Sequence, residues 1–367
     1  MAITRIGNPA IADQRGVNFR NIIINGGMDI AQRGTSESGV TASTFVTDRN
    51  RFIPVTAGTW TVSQDTDVPT GQGFAKSSKL QCTTANTSLA ADSSIVFQQR
   101  FEGQNLQYLK KGTANAESLT LSFWIKSTKT GTAVAELVDR DNTRQISKSY
   151  TISSANIWEK KTITFAGDTT GTLDNDNARS FDLQLWYVAG TDFSSGTLTT
   201  SWNTYSTSVN RAVGVTNFAD STSNIIYITG VQLEAGQVAS DFEFLPTDVN
   251  EERCRRYFQK SYTRGEYAGT ATNSAMITTA RLQNTVSNRP TNVFFRPIMR
   301  ATPTMTIYSV NGTSGRVSDL DTGTSHSRDE TANAAVLSSM GMGYLTGVGG
   351  LTAGDGMGFH YTADAEL

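Results

Sequence analysis

"SLTLSFWIK" (Ser118–Lys126) decides the fold class. Leu119, Leu121, Phe123 and Ile125 alternate with Thr120, Ser122, Trp124 and Lys126, the two-residue period of an extended chain with one buried face. "FDLQLWYV" (Phe181–Val188) repeats the pattern, with Phe181, Leu183, Leu185 and Tyr187 on one face and Asp182, Gln184, Trp186 and Val188 on the other. From Arg51 to Leu233 similar short segments, "RFIPV", "TWTVSQ", "SKLQC", "SIVFQQRF", "AVAELV", "WEKKTITF" and "IIYITGVQL", are separated by turn-rich stretches. That spacing predicts an antiparallel sandwich, two sheets over one core.

The composition agrees. Of 367 residues, 37% are hydrophobic and 17% charged, a balance suited to half-buried strands and polar turns. The length exceeds one typical domain of about 100–200 residues, so more than one folded unit is expected. A net charge of −2, with no run of lysines or arginines, argues against a nucleic-acid partner. No stretch approaches the ~20 apolar residues of a membrane span, and the amino terminus lacks the apolar core of a secretory leader. Synthesis as a soluble chain in a cytoplasm, without membrane insertion, is the expectation. Cys82 and Cys254 lie far apart and form no CxxC pair, so both are expected to be reduced and packed.

Three regions follow. Residues 1–45 hold one compact apolar run, Ile22–Ile24, too little for a core, and read as an extended anchoring arm that orders only against something else. Residues 46–246 are the sandwich. Residues 247–367 begin with a short linker helix and continue as a smaller β-sandwich, through "SAMITTARL", "TNVFFRPI", "TMTIYSV" and "GFHYTADAEL". For the helix, Asp248 is the expected N-cap, with Glu251 three residues on as in a capping box. Cys254, Tyr257, Phe258 and Ser261 give it a narrow apolar stripe over about three turns. The glycine-dense stretch Gly341–Gly358 lacks the ending of a phosphate-binding loop and reads as turns and bulges among strands.

Little points to catalysis. The two histidines, His326 in a polar stretch and His360 in the last strand-like segment, have no neighbouring cysteine and no serine-nucleophile signature, and no cofactor motif stands out. "DRDN" (Asp139–Asn142) and "DNDN" (Asp174–Asn177) carry hard oxygen ligands of the kind calcium takes, yet the EF-hand positions are filled by Arg179 and Leu185. Solvated turns are the expectation. Trp124 and Trp186 lie opposite the core alternation, where a ring can stack on a pyranose while Gln184, Gln98 and Arg100 orient its hydroxyls. The same tryptophans would equally fill a subunit interface or pack under a loop.

Several stretches carry a resemblance. "NFRNIIINGGMDIAQRGTS" (Asn18–Ser36) with "TDRNRF" (Thr47–Phe52), "TGVQLEAGQVASDFEFLPTDVNEERCRRYFQKSY" (Thr229–Tyr262), and "PIMRATPTMTI" (Pro297–Ile307) with the ending "YTADAEL" resemble tailed-bacteriophage virion proteins of the tail-fibre, head-fibre and decoration class. The resemblance implies a structural, non-enzymatic homotrimer located in the virion and attached to capsid or tail proteins by its amino-terminal arm, with a role in host attachment. The 46–246 region is also similar to carbohydrate-binding modules of jelly-roll fold, through "IVFQQRFEG", "LTLSFWIKS" and "WEKKTITFAG". That similarity implies contact with bacterial surface polysaccharide, as an adhesin or, ranking last, a depolymerase. Such modules often hold calcium at an acidic pair in the final strand. Thr229 and Gly230 stand there in this chain, so no metal or other cofactor is expected.

Overall fold

A computed structural model describes residues 19–205, 210–280, 289–320, 329–348 and 356–367. The first part of the chain supplies β1 (Ser36–Val40), β2 (Thr44–Phe45), β3 (Arg51–Val55), β4 (Thr59–Asp65), β5 (Ser77–Thr84), β6 (Ser94–Glu102), β7 (Leu119–Ser127), β8 (Gly131–Asp139), β9 (Arg144–Ile152), β10 (Glu159–Phe165), β11 (Arg179–Ala189), β12 (Asn203–Thr204) and β13 (Ile225–Ala235). They form two antiparallel sheets, ordered β1-β4-β5-β13-β7-β10 and β12-β9-β8-β11-β6-β3-β2.

The inner faces of the two sheets meet in one core, with Trp60, Leu121, Phe123, Ile125, Ile226 and Leu233 from the first and Phe52, Phe97, Phe181, Leu183, Leu185 and Tyr187 from the second. Each large apolar side chain so buried contributes about 1.5–3 kcal/mol. The expected alternation holds, with one break. The β11–β6 register shifts between Trp186 and Val188, and Val188 therefore turns into the core instead of joining Asp182, Gln184 and Trp186 outside.

The expected free arm is different in the structure. From Asn21 onward it is built into the sandwich: Ile23 and Met28 are core residues, and β1 and β2 pair with β4 and β3. The reason lies in β13, which pairs with β5 only over Ile225–Ile228. Beyond that point Ile22 N–H donates to Leu233 O (2.9 Å) and Val231 N–H to Gly26 O (3.0 Å), so the amino-terminal segment takes the place β5 has left. Residues 1–18 of the expected arm lie outside the described residues.

The helix spans Thr247–Arg255, shorter than expected. Pro246, not Asp248, precedes it as N-cap, and no side chain caps it. Tyr257 and Phe258 leave the helical stripe because β14 (Phe258–Lys260) is drawn into a sheet, with Phe258 opposite Asp364. Cys254 and Cys82 are free and buried.

The remaining strands are β15 (Ile277–Ala280), β16 (Arg289–Phe294), β17 (Thr304–Tyr308), β18 (Arg316–Asp319), β19 (Asp329–Thr331), β20 (Asn333–Ser338), β21 (Gly341–Thr346) and β22 (Gly356–Asp364). β22 is the hub, pairing with β14, β15, β17 and β18, and a three-stranded sheet β16-β21-β20 packs against it over Val293, Met342, Leu345, Phe359 and Tyr361. His360 is a packed core residue, stacked on Tyr262 at 4.2 Å with Nδ1 at 3.1 Å from Ser261 Oγ and Nε2 at 3.0 Å from Thr272 O. His326 lies outside the described residues. Among the described residues, no helix is long and apolar enough to cross a membrane.

Candidate functional site

The five residues singled out for sugar binding fall on opposite sides of the molecule. Gln98, Arg100, Gln184 and Trp186 are on the outer face of the second sheet, whereas Trp124 is on the outer face of the first. On the second sheet the registers place Arg51, Gln98, Gln184 and Glu136 side by side across β3, β6, β11 and β8, with Arg100 opposite Asp182 in the next row.

Trp186 is only 2% exposed. The chain after β11 folds back over it, placing Phe193 at 5.2 Å and the Arg211 guanidinium at 4.8 Å from its ring, while Val96, Val134 and Ala212 complete the packing. Its indole N–H donates to Glu136 Oε2 (2.9 Å), and Arg211 grips the same carboxylate through Nε (2.9 Å) and Nη2 (2.8 Å). Packing under a loop is thus the place the structure gives Trp186. Gln98 and Gln184 are likewise buried, at 3% and 4% exposure.

The rest of this face is cationic. Asp182 accepts Arg140 Nε (2.7 Å) and Arg179 Nε (2.7 Å). Arg100 donates through Nε to Gln98 Oε1 (2.9 Å) and through Nη1 to the backbone oxygen of Leu367, and Arg51 Nε donates to Ser43 Oγ. Among the described residues no Asp or Glu side chain lies within ion-pairing distance of Arg51 or Arg100. Burial, and then the neighbouring Arg179 and Arg51, pull the Arg100 guanidinium down to about 9; burial and Arg179 lower Arg51 as well.

The outer face of the first sheet is aromatic. Trp124 is half-buried, flanked in register by Lys160 and Thr229, and among the described residues its ring has no aromatic or cationic partner. In the next row Tyr227 lies between Lys126 and Lys79, with Lys126 Nζ 4.7 Å from its ring centre. Trp158 stands 6.2 Å from Tyr227 and donates its indole N–H to Asp67 Oδ1 (2.9 Å), while Lys126 pairs with the other oxygen. Burial alone would raise the Asp67 carboxyl, but these two donors hold it below the usual range. Sequence reasoning missed Trp158 and Tyr227. Tyr227 was accessible from the alternation of Ile226 and Ile228, which leaves it on the outside.

The acidic turns serve the structure. Asp139 is buried and met by Lys111 and by Asn142, whose backbone N–H lies at 3.0 Å, and Asn177 O accepts Arg300 Nη1 (2.8 Å). At the two final-strand positions weighed for calcium, Thr229 donates its hydroxyl to Lys76 O (2.7 Å), and Gly230 (φ 62°) backs on the Phe74 ring so closely that a Cβ would lie 2.5 Å from it. These residues do not fit a calcium ion. Among the described residues, no group of three or more His, Cys, Asp or Glu could hold a metal.

The stretches that carry the phage resemblance meet at one joint between the sandwich and the second β domain. Asn25 Oδ1 accepts Ile30 N–H (3.0 Å), and Asp48 holds Gln32, whose amide also donates to Phe258 O (2.9 Å). Arg33 pairs with Asp364 (3.0 Å) and Glu366 (3.3 Å) and lies 3.8 Å over the Phe258 ring, and Arg49 pairs with Glu366 and lies 3.5 Å over Tyr257. Arg300 Nε donates to Ala365 O (2.9 Å). Ile24, Ile30, Cys254 and Tyr257 form an apolar cluster beside these contacts, with Leu367 packed against it.

No family model and no curated protein matches this sequence. Among solved structures, similarity is found to the enzymatically active domain of bacteriophage CBA120 tailspike protein 4 (14% identity, 59% of this chain, 21% of that chain, TM-score 0.31). It is also found to TmCBM61 in complex with β-1,4-galactotriose (11% identity, 59% of this chain, 99% of that chain, TM-score 0.29). A family 11 carbohydrate-binding module from Clostridium thermocellum, in complex with a β-1,3-1,4-mixed-linked tetrasaccharide, is similar over 56% of this chain and 99% of its own, at 12% identity and a TM-score of 0.27. The alignment thus spans about a fifth of the tailspike domain's length.

Proposed function

We propose that this chain is a structural subunit of a tailed-phage virion, a head or tail fibre or decoration protein, without enzymatic activity. What supports this reading is the joint. Its most distinctive sequence stretches hold two β domains together through buried ion pairs and hydrogen bonds, rather than lining a reactive cleft. A projecting fibre or decoration needs its domains held in this way. The subunit assembles as a homotrimer and reaches capsid or tail proteins through its amino-terminal residues. Immunogold labelling of phage particles with antibody raised against the purified protein tests the reading. Label on intact virions is the expected result, and particles that carry none overturn it.

The sandwich also engages host-surface polysaccharide. The observation favouring this second role is Trp124, a half-buried indole whose ring has no aromatic or cationic partner among the described residues, on a lysine-studded sheet face beside Trp158 and Tyr227. Aromatic rings so placed stack on pyranose faces while neighbouring polar groups fix orientation. A printed glycan array probed with wild-type protein and Trp124→Ala tests it. Retention of one glycan class that the variant loses is expected, and an array with no bound glycan overturns it.

A further inference from the structure

We infer that the cleft at the joint between the sandwich and the second β domain is a second saccharide site, sized for one or two uncharged sugar rings and holding them by hydrogen bonds. The site is separate from the Trp124 face; that its ligand is a sugar rests on the polysaccharide role proposed above. The cleft has a volume of about 340 Å³, near the lower end of the roughly 300–1,000 Å³ of small-molecule pockets. Three parts of the chain wall it. The sandwich contributes Asp29 and, from β4, Gln64. The helix contributes Thr247, Glu251 and Arg255, which recur every fourth residue and so share one face, and β14 contributes Lys260. Because all of them line one small space, a ligand that fills it meets both domains at once.

The lining selects the chemistry. Among the described residues nothing donates to the Asp29 carboxylate, so its oxygens are left to accept. Gln64 gives its amide N–H groups to Met28 O (2.7 Å) and Asp29 O (3.1 Å), which fixes the side chain beside the cleft. Lys260 is half-buried, gives one of its three N–H donors to Glu266 O, and among the described residues pairs with no Asp or Glu side chain. Glu251 pairs with Arg264, and Arg255 reaches Glu252 at 3.5 Å. The lining thus offers one carboxylate and one ammonium without ionic partners, whose charges cancel. A net anion or cation gains little there, whereas a neutral ligand rich in hydroxyls, each both donor and acceptor, serves both groups. The tyrosine rings are already taken: Tyr262 stacks on His360 at 4.2 Å, and Tyr267 lies 4.8 Å from Lys260 Nζ. Recognition in the cleft therefore runs through hydrogen bonds, in contrast to the stacking proposed for Trp124.

The test is saturation-transfer difference NMR on the full chain with a pool of uncharged sugars (glucose, galactose, mannose, N-acetylglucosamine, maltose and lactose) and, as a small zwitterion, glycine. Wild-type protein should transfer saturation to at least one sugar and not to glycine. Asp29→Ala should weaken binding of that sugar about tenfold, the loss expected of one hydrogen bond to a charged group. Thr247→Trp, which sets an indole against the cleft from an exposed helix position, should abolish it. Both variants should keep the wild-type melting temperature, and Trp124→Ala should keep the sugar signal. No sugar bound, glycine bound in place of sugar, or a sugar bound equally well by the wild type and the two cleft variants overturns the inference. If one cleft variant fails to fold, the other decides the matter. A sugar signal lost in Trp124→Ala but kept in both cleft variants removes this site and leaves the polysaccharide role standing, whereas no sugar bound here and no glycan bound on the array remove both.

Discussion

Arg256 grips Glu102 with both arms of its guanidinium, Nε to Oε1 at 2.8 Å and Nη2 to Oε2 at 2.6 Å, across the boundary between the sandwich and the second domain. Glu102 is fully buried at the end of β6 and also accepts the Tyr257 hydroxyl at 2.5 Å. Burial would raise its carboxyl, but the bonds from Arg256 and Tyr257 hold it below the usual range. A depressed carboxyl stabilises the fold fully above its unfolded value of about 4.3, and this contribution is lost as pH falls through the folded value. Glu102→Gln should therefore cost roughly 2 kcal/mol at neutral pH, and the deficit should shrink below about pH 4. Urea denaturation at pH 7 and pH 3.5 checks this. An equal deficit at both would show that the charge is not what matters.

The amino-terminal segment makes a second test. Met28 is fully buried and Ile23 nearly so, both in the main core, and Ile22–Gly26 replaces β5 beside β13. Met28→Ala should destabilise by about 2–5 kcal/mol. A chain beginning at Val46 should fail to fold, since β13 would lose its partner and the core two of its walls. Circular dichroism and thermal melting of the two proteins decide it; a Val46 chain that melts like the full chain would mean the segment is an appendage.

The two tryptophans should behave oppositely. Trp186 is packed on all sides and carries the buried Glu136–Arg211 pair, so Trp186→Ala should cost about 3–5 kcal/mol and loosen the loop above it. Trp124 is half-buried, with no aromatic or cationic partner for its ring among the described residues, and Trp124→Ala should change stability by less than about 1 kcal/mol while lowering glycan retention. Melting temperatures of both variants, measured beside their retention on a glycan array, check the contrast. A large loss of stability from Trp124→Ala would return that ring to a structural role.

The sandwich was legible in the sequence because alternation in "SLTLSFWIK" and "FDLQLWYV" is a local signal, and both segments became strands with the expected faces inward. What alternation cannot say is which sheet a strand joins. Trp124 and Trp186 share an outward phase yet lie on opposite sides of the molecule, since β7 and β11 belong to different sheets. The amino-terminal segment was misread for a related reason: its apolar residues are too few to make a core but enough to complete one, and their partner β13 lies some two hundred residues away. The helix ended early because Phe258 pairs with Asp364, again a contact without a local signature. Gln98, Arg100 and Gln184 do stand together, but the other guanidiniums that give their face its character come from β3 (Arg51), the turn after β8 (Arg140), β11 (Arg179) and the segment after β12 (Arg211), whose adjacency only the fold reveals.

The last prediction concerns assembly. Large apolar side chains are exposed on the three-stranded sheet of the second domain and its flanks: Phe294 (69%), Val336 (67%), Met340 (58%), Ile298 (51%) and Tyr344 (39%). Clustered exposure of this kind is unusual on a monomer and typical of a surface that another chain covers. A stable interface buries about 1,200–2,000 Å² in total, with aromatic and aliphatic anchors at its centre. In a homotrimer each copy would offer this sheet to its neighbours. Sedimentation equilibrium at micromolar concentration should give three times the monomer mass for the wild type, and Phe294→Ser/Val336→Ser should shift the mass toward monomer. Their side chains are already exposed, so the melting temperature of the sandwich should not fall. A monomeric wild type would remove the trimer, and a variant that remains fully trimeric would place the interface on another face.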